Sequence, residues 1–107
     1  EEVTTEAEAA ARAGNDERAN ALCATLLKTS DADICYARVA DASEDWNTCK
    51  SIREESKRDT CLMDFALSKN QFEVCEHLSN RYLKNSCFSL KTLRELQAQR
   101  AQQEAGS

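Results

Sequence analysis

The segment CKSIREESKRDTC, running from Cys49 to Cys61, decides how the rest of the chain reads. Its two cysteines stand twelve residues apart in a stretch of Lys, Arg, Glu and Ser that favours helix and contains neither glycine nor proline. Twelve residues of unbroken helix would hold them about 18 Å apart at ~1.5 Å per residue. A disulfide needs Cα atoms roughly 4.4–6.8 Å apart. If the two are bridged, the chain turns back between them, and the segment is a helical hairpin stapled across its arms.

The spacing recurs on both sides. Cys23, Cys35, Cys49, Cys61, Cys75 and Cys87 are separated by 12, 14, 12, 14 and 12 residues, a period of 26. A fixed period of this size marks repeated supersecondary units. Laid in register, residues 20–45, 46–71 and 72–97 align Leu26 with Ile52 and Leu78, and Tyr36 with Leu62 and Phe88. Trp46 aligns with Phe72 (Asn20 is the exception), Ala40 with Ala66, and Ser30-x-x-Asp33 with Ser56-x-x-Asp59. Six cysteines allow fifteen pairings. The spacing favours Cys23–Cys35, Cys49–Cys61 and Cys75–Cys87, which give each unit its own staple. The shifted set, Cys35–Cys49 and Cys61–Cys75, strands Cys23 and Cys87 at opposite ends.

These features predict an all-α fold of three tandem disulfide-stapled αα-hairpins forming a short solenoid or bundle, with extra helices at both termini. The organisation is an acidic, alanine-rich helical arm over 1–19, the repeats over 20–97, and a helical extension and tail over 98–107. Helical segments are expected near 5–13, 16–28, 31–42, 46–53, 57–68, 71–79 and 81–103. Ser30 and Ser56 read as N-caps, with Asp33 and Asp59 reaching back in capping-box fashion. Asn70 with Glu73, and Thr5 with Glu8, make the same arrangement. Asp45 reads as a cap before Trp46, and Gly14-Asn15 as a C-cap followed by an N-cap. In the third unit Tyr82-x-x-Asn85 replaces the capping box, and the hairpin could instead turn at Ser79 or Asn80.

The 107 residues make one ordinary domain. No proline and two isolated glycines, Gly14 and Gly106, argue against a turn-rich β-fold and against a glycine loop that cradles phosphate. No apolar run approaches the roughly 20 residues of a membrane span, and no signal peptide is visible, so the chain reads as soluble and mature. Structural zinc normally wants cysteine pairs two to four residues apart. None exists, and the only histidine, His77, reads as a packing or surface residue. No metal, cofactor or catalytic group is expected, nor an enzyme. With a pI near 4.9 the chain offers no basic stripe to nucleic acid. Bridged cysteines imply an oxidising compartment. That is the cell exterior or surface, with periplasm or mitochondrial intermembrane space as alternatives.

Cys49-Lys-Ser-Ile52 followed by Arg58-Asp59-Thr60-Cys61-Leu62 resembles a repeat of exported archaeal and bacterial proteins, mostly of unassigned function. Only the middle unit carries the Arg-Asp. The likeness covers about residues 20–97 and implies export without catalytic residues. More distant is a similarity to the twin C-x9-C helical hairpins of the mitochondrial intermembrane space, where the intervening count differs from the eleven found here.

Charge is unevenly placed within a formal net of −5. Residues 1–17 hold six acids and one base, whereas 81–107 hold five bases and two acids. Leu83, Leu90, Leu93 and Leu96 continue at helical spacing past the last cysteine, while Val3, Ala7, Ala10 and Ala11 form a small-residue face near the other end. Arg94 and Arg100 accompany the leucines. Either the alanine helix covers the leucine face, or the next subunit does. Val3, Ala7, Ala10, Leu90, Leu93, Leu96, Arg94 and Arg100 are the expected interaction residues. The leading expectation is a non-enzymatic structural protein that self-associates, as a filament if the contacts do not close. The alternative is a monomeric helical binding module or inhibitor that engages another extracellular protein.

Overall fold

The computed structural model describes residues 2–106, with side chains through Glu104. Five α-helices and two 3-10 helices follow one another: α1 (Glu2–Arg12), α2 (Asp16–Ala24), α3 (Thr29–Ser43), η1 (Trp46–Ser51), α4 (Glu55–Lys69), η2 (Phe72–His77) and α5 (Arg81–Gly106). No strand occurs among the described residues. The disulfides are Cys23–Cys35, Cys49–Cys61 and Cys75–Cys87, with Cα separations of 5.5, 5.7 and 5.4 Å. Each unit is thus a short first helix (α2, η1 or η2) clipped to a long second one (α3, α4 or α5). Every second helix except α5 also packs on the first helix of the following unit, so the hairpins stack as a solenoid.

The stack is elongated, 56 × 31 × 18 Å. Its radius of gyration of 16.3 Å exceeds the roughly 13 Å of a compact chain of this length. Two core clusters run along it. Ala7, Ala10, Ala11, Ala19, Cys23, Cys35 and Val39 form the first. Ala40, Ile52, Leu62, Phe65, Ala66, Val74 and Leu78 form the second, around the four remaining cysteines. Tyr36 packs against both and joins them. The alanine face of α1 is therefore used within its own chain, on α2 and α3, and does not cover the leucines of α5. Glu8 fixes α1 further, pairing with Arg12 at 3.3 Å and with Arg38 of α3 at 3.2 Å.

The helix ends differ from the capping-box expectation. Helix α3 starts after Lys28 and α4 after Glu54, which places Ser30 and Ser56 inside the first turns. Asp33 and Asp59 do not reach back. Both are buried, at 2% and 1% exposure, and both cap the next unit. The N–H groups of Arg53 and Glu54 donate to Asp33 at 2.8 and 3.1 Å. Those of Ser79 and Asn80 donate to Asp59 at 2.8 and 3.0 Å. The shared spacing of 26 shows one device used twice. In each case the two side-chain oxygens take the N–H groups of the last two residues before the next long helix, tying consecutive units together.

Asn70 is not an N-cap either. With Glu44, also 26 residues away, it ends a long helix in the left-handed conformation, at φ 54° and 55°. Each position returns the chain without glycine. Thr5 lies within α1, well after its start. The remaining caps fall as expected. The side chain of Asn15 accepts from Arg18 N–H after Gly14 at φ 83°, and that of Asp45 accepts from Asn47 N–H. The third hairpin turns at Ser79-Asn80, where the Asn80 side chain accepts from Leu83 N–H.

Candidate functional site

Two surface features stand apart from this repetitive body: the far half of α5 and a groove between α3 and α4. Helix α5 has 26 residues against 15 in α3 and in α4. In register, its core-facing positions change character. Phe65, buried at 5%, corresponds to Lys91, and Ala66, fully buried, corresponds to Thr92. From that point the helix carries nothing that would seat another hairpin, and every residue from Lys91 to Glu104 is exposed.

Of the expected interaction residues, Leu93 and Leu96 are 51% and 57% exposed. Arg94 and Arg100 lie exposed on the same segment, and Leu90 is half-buried where the segment leaves the body. At 3.6 residues per turn, Leu90, Leu93 and Leu96 span about a third of the helix circumference. Arg94 flanks this stripe, Arg100 follows it, and Glu95 falls on the opposite side. Val3 is half-buried, while Ala7 and Ala10 lie in the first core cluster. The structure thus brings the C-terminal members together and keeps the alanines inside the chain.

The groove was not evident from the sequence. A cavity of about 330 Å³ opens between α3 and α4, with Ile34, Ala37 and Asp41 on one wall, Asp64 and Phe65 on the other, and Ile52 among its lining. Comparison with the gap between α4 and α5, one repeat on, explains it. There Met63 stands for Ala37, Leu83 for Lys57 and Leu90 for Asp64, and Met63 and Leu83 pack against the core. Between α3 and α4 a methyl group and two charged side chains occupy those places, so the space stays open. Aligning the units by side-chain size, beyond hydrophobic class, is the signal that would have shown it.

Trp46 and Phe72, aligned by the repeat, both lie partly buried against the second cluster. Trp46 also meets the His77 ring at 5.1 Å and carries the Lys50 ammonium 4.9 Å from its centroid. Among the described residues no group of three or more His, Cys, Asp or Glu could hold a metal ion, and no helix is long and apolar enough to cross a membrane. All six cysteines are bridged, which places the folded chain in an oxidising compartment.

No family model matches the chain, and comparison with curated proteins and with solved structures yields no match either.

Proposed function

We propose that the protein is a non-enzymatic structural protein of the cell surface or extracellular space, whose stapled body self-associates through the projecting half of α5. Where such contacts join unlike surfaces and do not close into a ring, they build a filament. The observation that carries this reading is the uncovered Leu93–Leu96 stripe on a helix exposed from Lys91 to Glu104. A lone helix of about four turns is marginal in water without packing, and a contact on its apolar face supplies the missing support. The disulfide framework and the resemblance of the middle unit to exported repeat proteins support placement outside the cytosol.

Sedimentation velocity over a concentration series, with negative-stain microscopy of the same samples, tests it. Mass that rises with concentration, together with polymers on the grid, is the expected result. A monodisperse monomer at high concentration with no polymers overturns the reading. A monomer that retains one other extracellular protein would instead mark a binding module, which the apolar groove between α3 and α4 also suits.

A further inference from the structure

We infer that the groove between α3 and α4 is the seat for the projecting half of α5 from a second copy of this chain, an inference that rests on the self-association just proposed. The groove offers apolar surface from Ile34, which is 47% exposed, and from Ala37, Ile52 and Phe65. Asp41 and Asp64 are exposed along the same groove, and neither has an ion-pair partner among the described residues. The α5 segment presents the complement, with Leu93 and Leu96 as apolar anchors i and i+3 on one face. Arg100 lies on the same face two turns beyond Leu93, whereas Arg94 lies beside Leu90 at the edge of the stripe. The only acid between the leucines, Glu95, points away from that face, and Arg100 is the base that lies on it toward the two aspartates. A helix laying its apolar face into a groove, with matched charge at the rim, is a recurring recognition mode.

The occupant is a second copy because the chain's own α5 cannot reach. It is one unbroken helix that packs on η2 and α4 and makes no comparable contact with α3. The two surfaces are unlike, so one copy offers its groove at the same time as its helix, and contact is head-to-tail.

The α4–α5 gap suggests the decisive variant. Ala37→Met with Lys57→Leu copies the side chains already accommodated one repeat on and fills the groove from within. In the full-length chain this variant should weaken assembly at least tenfold by sedimentation while its circular dichroism and melting temperature match the parent. Leu93→Glu with Leu96→Glu, all on exposed positions, should do the same. Mixing the two variants should then give a one-to-one heterodimer and nothing larger, because one intact groove and one intact helix remain. Asp41→Lys with Asp64→Lys should also weaken assembly, and mixing with Arg100→Glu chains should restore it. Undiminished polymers from the groove-filled variant would overturn the groove as the seat while leaving self-association standing. Loss of assembly in that variant accompanied by a fallen melting temperature would be decided by the mixing arm, where absence of the heterodimer overturns the inference. A parent chain that stays monomeric overturns self-association itself, and the groove assignment with it.

Discussion

Asp33 and Asp59 each commit both carboxylate oxygens to the backbone of the following unit, and that makes them the costliest exposed-type residues to replace. Asp59→Ala leaves the Ser79 and Asn80 N–H groups without their acceptor in a part-buried setting. Hydrogen bonds to charged groups contribute about 1.5–3 kcal/mol each net of water exchange, and with water free to reach part of the uncovered backbone a loss of about 2–3 kcal/mol is expected in a urea titration. Asp59→Asn, which keeps an acceptor, should lose less. Glu44 gives the opposite expectation. It holds the left-handed conformation that a side chain disfavours, and its ion pair with Lys69 is exposed on the Glu44 side. Glu44→Gly should therefore gain up to about 1 kcal/mol from relief of the left-handed backbone, offset in part by glycine's greater unfolded freedom. Glu54 is held below its ordinary pKa. The Ser56 hydroxyl is the main cause, opposed by desolvation and aided by the Ser56 N–H and the Lys57 charge. A carboxyl lowered in the folded state stabilises at neutral pH, and that contribution disappears as pH falls through the folded value. The difference in stability between the parent and Glu54→Gln should accordingly shrink on acidification.

At the scale of elements, the short first helices depend on the staples. η1 and η2 are six residues each, too short to persist alone, and the disulfides hold them against α4 and α5. Closing a loop of about a dozen residues contributes roughly 3 kcal/mol in the chain-entropy model. Replacing Cys75 and Cys87 by Ala should lower stability by about that amount, and hydrogen exchange should quicken first in η2. Helix α1 belongs to the body in the same sense. Removing residues 2–14 would uncover Ala19, Cys23, Cys35 and Val39, all fully buried, so this deletion is expected to reduce the melting temperature whatever it does to assembly. Truncation after Leu90 makes the useful contrast. The described side chains it removes, Lys91 to Glu104, are all exposed, and the melting temperature should change little while assembly is lost.

For the whole molecule, length and polarity are built by the register of the stack. Each unit passes its second helix forward to the next, through an aspartate in two cases, until α5 presents Asn85, Lys91 and Thr92 where Asp59, Phe65 and Ala66 stood. The body therefore has two different ends, an acidic one closed by α1 and a basic one from which α5 projects. Raising ionic strength should weaken assembly in proportion to its rim charges and leave the leucine contact, since exposed charges are screened within about 10 Å at 0.1 M salt. A salt series on the parent and on Arg100→Gln would separate the two contributions.

The cysteine period determined the all-α class, the three units and the pairing, because a twelve-residue separation can be bridged only by a chain that folds back. The places of the long helices and the exposed Leu93 and Leu96 were legible in the same pattern, although each long helix runs three residues longer than read from it. What the aspartates cap was legible only in space. Asp33 and Asp59 sit three residues after a serine, which reads as a local box, yet their partners lie 20 and 21 residues away. The destination of the alanine face was decided in the same way, by the packing of α1 on α2 and α3 rather than by the leucines it matched in the sequence. The groove, too, exists because Ala37 is too small and Lys57 and Asp64 too polar to close a gap that Met63 and Leu83 close one unit further on. Spacing along a chain specifies which residues share a face, whereas which neighbour that face meets, and whether the space between them is filled, depends on volumes that come together only in the folded stack.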